Sequence, residues 1–451
     1  MTINNSVQYF KDNLIIFLFV SFIYLFSIKI NIIEFKFLIL FLIVPCSFFF
    51  LQDLKNKNFN FLKYLICILL FLLFHIFFLE SSKINLHQFL SLIYLLVIFT
   101  IAYYFFNFLN RNIFKLIFLF IILFVISSLT NVFNFQYDAP YFCGGIPDFF
   151  NIMNYDGMNS SRPQNALRIS FREYIFQENS HLGMIAPSAI IFLIYYLFKY
   201  NTNFVEKFLI ILFILICFIK SSTTLILGLF LNLTLILIFN YKELPKKNIF
   251  SFVLIILICA SNLIFNNECK KRFISLDKNI DLTLEQNSDL NNNIEMKKKT
   301  NNENKFTIFF DNSLSENTFL TRAVHFHAFS IMKKSITEKP FGWGLNRYIN
   351  AFEYYNTMNK PKQKNLMDYN KKDGTNNFIK IIVEFGIFGI FFYFFIFLFI
   401  INNKIPIELK LFYLPIIITQ SIRGAGYFNG GFILIAFLML FTYINLYKKL
   451  R

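Results

Sequence analysis

Long apolar stretches recur along the whole chain, and short polar loops separate them. Each stretch is about 18 residues long or more, which is enough to cross a hydrocarbon core of roughly 30 Å as a helix. The pattern therefore predicts about twelve transmembrane helices. The predicted spans are 12–30, 35–51, 61–79, 87–109, 112–130, 182–199, 204–220, 222–241, 248–266, 376–401, 405–421 and 426–446.

These spans define the expected fold class, an all-α, polytopic integral membrane protein with two larger extracytoplasmic loops. About five helices belong to the first transmembrane region, about four to the central one and about three to the last. In chain order the expected parts are the first helices (1–130), a first outer loop (131–181), the central helices (182–266), a large outer loop (267–375) and the last helices (376–451).

The composition agrees with a membrane protein. Of the 451 residues 56% are hydrophobic and only 15% are charged, whereas a soluble chain of this length would need far more charge to cover its domains. A soluble Rossmann or barrel enzyme and a secreted disulfide scaffold are therefore excluded. The 67 Phe residues reflect base composition as much as physics, so a single Phe carries little information.

The charge pattern predicts an orientation. Lys and Arg are concentrated in alternate short loops, and such loops face the cytoplasm. Both termini are then cytoplasmic, and the two long segments are outside. The net charge of +17 is explained by orientation and by contact with anionic lipids, so no nucleic-acid partner is expected. The cation-rich loops contain Lys55, Lys57, Lys63, Arg111, Lys115, Lys199, Lys207, Lys242, Lys246, Lys247, Lys404, Lys410, Lys448, Lys449 and Arg451.

Cysteine and histidine give no metal signal, because CxxC, HExxH and Cys/His clusters are absent from the sequence. No metal and no cofactor is expected. Cys143 and Cys269 lie on the two outer segments and can pair if that compartment is oxidising, which the sequence leaves open. His75 lies in an apolar span and is interpreted as a packing residue.

The large outer loop contains a predicted helix. It begins after a cap at Asn317 or Thr318, runs to about Thr337 and ends before Pro340 and Gly342. Helical spacing aligns four side chains on one stripe that offers cations, an imidazole and an aromatic face. These are Arg322, His325, Phe329 and Lys333. His327 lies on a neighbouring apolar stripe and is interpreted as packing.

Two further features follow this helix. The turn "KPFGWGLNRY" places Trp343 between two glycines, with Arg347 beyond, and such glycines permit a sharp turn or a close backbone approach. Lys380 and Glu384 are four residues apart near the outer end of the tenth span, where they can pair on one helix face.

Ionisable residues also gather at the other outer segments. Arg168, Arg172, Glu178 and His181 lie at the mouth of the sixth span, and Arg423 lies in the last outer turn. Ionisable residues at a membrane boundary are more often functional than not. Because guanidinium binds phosphate oxygens bidentately, these arginines predict a cradle for a phosphate-bearing lipid headgroup.

Taken in order, these motifs resemble a family. Arg322, Pro340-Phe341-Gly342-x-Gly344, Asn376 and Glu384-Phe385-Gly386-Ile-Phe-Gly389 are similar to the shared domain of bacterial O-antigen polymerases and O-antigen ligases. "FQENSHLG" and "KSSTTLILG" (residues 220–228) resemble two further elements of that family. The similarity spans roughly residues 165–400. Two positions depart from the pattern: Thr375 replaces the ligase-type His before Asn376, and the Arg beside Ser222 is missing, although Lys220 is close.

The resemblance implies a metal-independent inverting glycosyltransferase at the outer face of the bacterial cytoplasmic (inner) membrane. Its donor is a glycan on undecaprenyl pyrophosphate and its acceptor another lipid-linked repeat unit, with membrane lipids and a chain-length regulator as candidate partners. The implied catalytic residues are Arg322, with Glu178, His181 or His325 as the base. The implied pyrophosphate-binding residues are Arg168, Arg172, Arg347, Arg423 and Lys220.

The missing histidine favours a polymerase over a ligase, which would transfer the glycan to lipid A-core. A flippase or exporter of lipid-linked sugars is a non-enzymatic alternative, but it should carry polar residues through its spans. A peptidoglycan-type polymerase is a further alternative and would normally place an acidic residue in its large outer loop.

Overall fold

The structure, a computed structural model, describes residues 3–30, 33–77, 86–132, 179–219, 222–265, 320–358, 371, 374–424 and 426–448. Within these ranges the regular secondary structure is helical apart from one short antiparallel pair, in which Lys29–Ile30 pairs with Ile33–Glu34. All-helical architecture is the expected result for apolar segments of this length, since a helix satisfies its own backbone hydrogen bonds in an apolar medium.

The α-helices are numbered here in chain order. They are α1 (Ile3–Ile23), α2 (Ile43–Lys55), α3 (Asn60–Phe77), α4 (Leu86–Val132), α5 (Asn179–Lys199), α6 (Phe204–Ile219), α7 (Thr223–Asn240), α8 (Lys246–Phe265), α9 (Leu320–Glu338), α10 (Tyr348–Met358), α11 (Asn377–Phe385), α12 (Ile387–Ile401), α13 (Ile407–Ile422) and α14 (Phe432–Lys448). Two 3₁₀ helices, Phe35–Leu42 and Tyr241–Glu243, precede α2 and follow α7.

Each predicted span overlaps a helix or a pair of helices, and the chain is a multi-pass membrane protein. Four helical stretches in the described ranges are long and apolar enough to cross a membrane, judged by length and composition. These are Phe35–Lys55, Leu86–Ser128, His181–Lys199 and Thr223–Glu243. Shorter apolar helices occupy Asn60–Ile76, Ile387–Ile401 and Phe432–Lys448, so the number of spans stays a prediction.

Three elements differ from the sequence prediction. The fourth and fifth predicted spans are two helices, but they follow each other directly within α4: they meet at a kink, the non-helical Asn112 (φ −115°, ψ 17°), with no loop between them. The tenth predicted span is not continuous, because Gly386 (φ 55°, ψ −128°) separates α11 from α12. The helix α10, which follows the glycine turn, was not predicted, since its 11 residues carry no strong apolar period.

The centre of the bundle consists of α5, α7 and α13, which pack closely because small residues line their interfaces. A Cβ atom at Gly228 of α7 would lie 2.8 Å from the Thr419 side chain of α13. Asn232 donates hydrogen bonds to the Gly228 carbonyl (2.7 Å) and to Thr419 Oγ1 (3.0 Å), so its buried amide group has partners across the interface. At the beginning of α5, a Cβ at Gly183 would lie 2.4 Å from Ser222 Oγ.

The two ends of this bundle differ in chemistry. At one end, which carries Gly183, Ser222 and Arg423, α5 and α7 begin and α13 ends; we call it the site end. At the other, the opposite end, Lys199 of α5 pairs with Glu408 of α13. There Lys410, fully buried, donates to Asn240 and lies 3.4 Å from a Glu243 carboxylate oxygen.

A second, smaller hydrophobic core joins α9, α10 and α11. It contains Ala328, Ile331, Met332, Trp343, Tyr348, Ala351, Phe352, Tyr355, Ile379, Ile382 and Val383. The buried face of α9 is thus the stripe of Ala328, Ile331 and Met332, and the His327 ring lies edge-on to Phe352 at 5.2 Å. This confirms the interpretation of His327 as a packing residue. The three helices form a compact unit against the site end of the bundle.

Candidate functional site

His325 and Arg423 come from segments almost 100 residues apart and lie within electrostatic reach of each other. His325 is on α9, and Arg423 follows the last turn of α13 in an extended conformation. Burial, and to a smaller extent the positive charge of Arg423, together lower the pKa of the His325 imidazole to about 4. The imidazole is therefore neutral at pH 7 and can accept a proton or a hydrogen bond.

The segment that enters α11 lies beside Arg423. The Gly424 amide donates to the Thr375 carbonyl (3.4 Å), and Asn376 caps α11 by accepting a hydrogen bond from the Ile379 amide (2.8 Å). Asn377 is fully buried, and neither its Oδ1 nor its Nδ2 has a hydrogen-bond partner in the described part of the chain. A buried amide without partners is costly, so Asn377 is a candidate for contact with a bound group or an ordered water.

Two glycine motifs that are about 40 residues apart in sequence interlock. A Cβ at Gly342 would lie 2.3 Å from the Glu384 carbonyl oxygen, and one at Gly386 would lie 2.1 Å from the Pro340 carbonyl oxygen. The Trp343 amide donates to the Val383 carbonyl, the Gly344 amide to the Glu384 carbonyl, and the Ile387 amide to the Pro340 carbonyl, at 2.8–2.9 Å. The close backbone approach predicted for the turn is thus confirmed, and its partner is the break between α11 and α12.

The carboxylate of Glu384 connects three segments. It is fully buried, and it accepts hydrogen bonds from the backbone amides of Asn346 (2.9 Å) and Tyr348 (3.2 Å) and from the Tyr427 hydroxyl. Lys380 acts on the same carboxylate by its charge and lies 5.3 Å from the centre of the Tyr427 ring. Glu384 therefore holds the glycine turn, α11 and the last turn of the bundle together.

The end of the glycine turn rests on the first turns of α4. Asn346 Nδ2 donates to Ser91 Oγ (3.1 Å), and Gln88 Nε2 donates to the Leu345 carbonyl (3.4 Å). Arg347, predicted to bind pyrophosphate, is 2% exposed and donates to Gln88 Oε1 (3.4 Å). This places its guanidinium between the turn and α4; its role as a phosphate ligand stays a prediction.

His181 lies in the first turn of α5 at the site end. The centre of its ring is 5.5 Å from that of the Phe26 ring. Two residues later, Gly183 allows α5 to pack closely against Ser222. His75 is buried at the end of α3, where its Nδ1 contacts the Phe71 carbonyl at 2.9 Å and the rings of Phe385 and Phe388 pack against it. The packing interpretation of His75 is confirmed.

Several predicted site residues lie outside the described residues. These are Arg168, Arg172, Glu178 and Lys220, together with Cys143 and Cys269. Arg322 lies in the first turn of α9, but its side chain is not among those described. Of the described residues, no group of three His, Cys, Asp or Glu side chains is arranged to hold a metal ion.

Fold and site together define a multi-pass helical membrane protein whose buried polar residues converge where the unit of α9, α10 and α11 meets one end of the bundle. Residues 208–394 match the O-antigen ligase family, which confirms the resemblance indicated by the motifs. Searches of curated proteins and of solved structures gave no significant match. The matched region begins in α6 and ends in α12, so it contains α7, α9 and the interlocked glycine motifs.

Sequence reasoning missed two features of this site. Asn377 was overlooked beside Asn376, although a second polar residue directly before an apolar helix is a usable signal. Glu384 was expected to pair only with Lys380, and the two backbone amides that it binds could not be foreseen. Those contacts depend on the positive φ of Asn346 (56°) and on the fold of the glycine turn.

Proposed function

We propose that the protein is a polymerase of O-antigen or a related surface polysaccharide, acting at the outer face of the cytoplasmic membrane. It joins oligosaccharide repeat units carried on undecaprenyl pyrophosphate and releases undecaprenyl pyrophosphate. The observation that carries the proposal is the family match over residues 208–394, a region that contains His325, Asn377 and the interlocked glycine motifs. The family match supports an activity of the polymerase or ligase type, and the choice of a polymerase is part of the proposal.

The chemistry follows from these groups. An acceptor hydroxyl attacks the anomeric carbon of the donor, the bond from that carbon to the pyrophosphate oxygen breaks, and the hydroxyl proton goes to a base. Pyrophosphate leaves with its charge developing in the transition state, where a preorganised guanidinium stabilises it without a metal. Arg423 and Arg322 are assigned this role, with Arg168, Arg172, Arg347 and Lys220 as further phosphate ligands.

His325 is assigned as the base, with His181 and Glu178 as the alternatives. A pKa of about 4 makes the imidazole a weak base while the site is empty. Part of that lowering comes from Arg423, so a pyrophosphate bound to Arg423 would screen its charge and raise the pKa of His325. Substrate binding would thereby increase the basicity of the group that receives the proton.

Thr375 supports a polymerase over a ligase. It occupies the position at which the ligase pattern has a histidine, is 5% exposed and donates its hydroxyl to the Gly374 carbonyl at 2.6 Å. No imidazole is therefore available at this position. The ligase remains the second candidate because the matched family carries that name, and a flippase is the third.

The test is the glycan ladder of a strain in which the chromosomal gene is replaced by Arg322→Ala or Arg423→Ala. A polymerase defect should leave lipopolysaccharide with a single repeat unit and remove the long ladder. Removing one charge-stabilising contact typically costs about 10²–10³ in rate, which is enough to abolish long chains.

The matched control is Arg111→Ala, which makes the same change on an exposed position of α4 near its kink and far from the site. Its ladder should be unchanged at equal protein abundance. Loss of all glycan, including the single-repeat band, would instead favour a ligase or a flippase. A full ladder in both site variants would refute their assignment.

A further inference from the structure

A cavity of about 370 Å³ opens at the opposite end of the bundle, far from the site just described. It lies between α2, α3, α4 and α14, and its walls include Asp53, Tyr64, Tyr103, Tyr104, Phe441 and Lys448. Ligand pockets are typically about 300–1,000 Å³, so the cavity is large enough for a small polar headgroup. The proposed polysaccharide chemistry does not use it.

Aromatic rings form a continuous wall of this cavity. The Tyr103 ring is 5.3 Å from that of Phe441 and 5.1 Å from that of Tyr104, and Tyr64 lies 6.3 Å from Phe441. A wall of aromatic faces attracts an organic cation through the ring quadrupole, most strongly where water is partly excluded.

Asp53 places one carboxylate at this wall. Its Oδ2 accepts a hydrogen bond from the Tyr104 hydroxyl (3.2 Å) and its Oδ1 one from Asn58 Nδ2 (3.0 Å). No Lys, Arg or His in the described part of the chain forms an ion pair with it. Both oxygens keep a free lone pair, so the carboxylate is held in place by neutral donors and is open to a cation.

Lys448 supplies the opposite charge at the rim. Its ammonium lies 5.3 Å from the centre of the Tyr64 ring, at the end of α14, and among the described residues it has no carboxylate partner. One aromatic cavity thus holds a carboxylate and an ammonium that do not neutralise each other. This arrangement is complementary to a zwitterion with a phosphate and an ammonium group.

We infer that the cavity binds the headgroup of an aminophospholipid, with its primary ammonium at Asp53 and the aromatic wall and its phosphate at Lys448. A primary ammonium fits better than a quaternary one, because only the former can donate hydrogen bonds to the carboxylate. A lipid fits better than a soluble molecule, because Phe48 and Leu51 of α2, the helix that carries Asp53, are 69% and 63% exposed and can contact acyl chains. The end carries cationic loops and is predicted to face the cytoplasmic leaflet.

Native mass spectrometry of the full chain tests this inference directly. The purified protein is titrated with phosphatidylethanolamine, phosphatidylcholine and phosphatidylglycerol that share the same acyl chains. Phosphatidylethanolamine should bind most tightly. Asp53→Asn should weaken its binding about tenfold, the usual effect of losing a hydrogen bond to a charged group, and leave phosphatidylglycerol unaffected. Lys448→Ala should weaken the binding of both phosphatidylethanolamine and phosphatidylglycerol.

Glu206→Gln and Lys207→Ala are matched controls, since they change the same charges at the start of α6, outside the cavity. Equal affinities of the wild-type protein for the three lipids would by themselves overturn the inference. An Asp53→Asn protein that binds like Glu206→Gln would overturn the role of Asp53. Displacement of the lipid by submillimolar free phosphoethanolamine would show that the occupant is a soluble molecule and not a lipid.

Discussion

Glu384 shows how one buried side chain can organise a site. Its carboxylate accepts hydrogen bonds from two backbone amides of the segment that follows α9 and from one phenol of the segment that follows α13. A buried carboxylate is tolerated only where such donors and a nearby positive charge replace its lost hydration, and Lys380 supplies that charge. Glu384 is therefore a positioning residue for the glycine turn and not a group that we assign to the chemistry.

Glu384→Ala should destabilise the protein by about 3 kcal/mol, because it leaves buried amides without an acceptor. Thermal unfolding in detergent, together with limited proteolysis between α9 and α11, would measure the loss. Glu353→Ala is the matched control: its carboxylate is 57% exposed and pairs with Lys371, so its effect should stay below about 1 kcal/mol. Equal effects of both variants would contradict the role of Glu384.

His325 makes stability depend on pH in a defined direction. Its folded pKa of about 4 lies below the ordinary value of 6.5, so the unfolded chain binds the proton more readily. The stability that depends on neutral His325 is complete above pH 6.5 and is lost as the pH falls from 6.5 to about 4.

Melting temperatures of wild type and His325→Gln between pH 7 and pH 4 would test this. Wild type should lose more stability on acidification than the variant, and Arg423→Gln should show an intermediate loss because one cause of the lowered pKa is removed. Parallel curves for all three proteins would show that His325 does not titrate in this range.

At the residue scale, the sequence indicated which residues are candidates for the site, but it did not indicate which of them contact each other. The sequence placed His325 on a helix of the large outer loop, but nothing in the local pattern indicated that Arg423 would lie within electrostatic reach of it. Long-range pairs of this kind depend on how loops fold back onto the bundle, and local patterns do not contain that information.

The interlock of the two glycine motifs is the main feature at the scale of elements. Gly386 adopts φ 55° and ψ −128°, a region that only glycine occupies readily, and the Pro340 carbonyl fills the space where a side chain would begin. The break between α11 and α12 is thus part of the docking surface for the turn.

Gly386→Ala should cost at least about 2 kcal/mol, because a methyl group meets backbone atoms that cannot move independently and the φ value becomes strained. Gly389→Ala is the graded comparison, since its Cβ would lie 2.8 Å from the Ile381 carbonyl oxygen in an ordinary helix. Scanning fluorimetry should give a lower melting temperature for Gly386→Ala than for Gly389→Ala or wild type. The reverse order would argue against the interlock.

Apolar period and length were enough to predict most helices, since each is an uninterrupted run of apolar side chains. The prediction of the tenth span as one continuous helix was wrong. The segment "EFGIFG" is apolar enough for a membrane helix, so hydropathy gives no sign of the break at Gly386. At the break the Ile387 amide donates to the carbonyl of Pro340, which lies more than 40 residues earlier, and a local sequence window contains no information on that contact.

At the scale of the whole molecule, the two ends of the bundle have different tasks in our account. The site end is predicted to face outward and to hold the sugar-transfer groups. The opposite end, with its ion pairs and aromatic cavity, is predicted to face the cytoplasm. This orientation follows from the Lys and Arg bias of the short loops.

Thiol labelling of intact cells would test the orientation. In a chain whose native cysteines are replaced, Thr337→Cys at the exposed end of α9 should react with an impermeant maleimide added outside. Lys246→Cys at the exposed start of α8 should react only after the cells are opened. The opposite labelling pattern would invert the topology and contradict an outer site.

The central claim is that this chain joins lipid-linked repeat units, and reconstitution tests it most directly. The purified protein is placed in liposomes with undecaprenyl-pyrophosphate-linked repeat units as the sole glycan substrate, and the products are separated by length. The account predicts a ladder of polymers with one undecaprenyl pyrophosphate released for each bond formed, and its loss in Arg423→Ala. A glycan product that forms only after lipid A-core is added, or no transfer in either case, would contradict it.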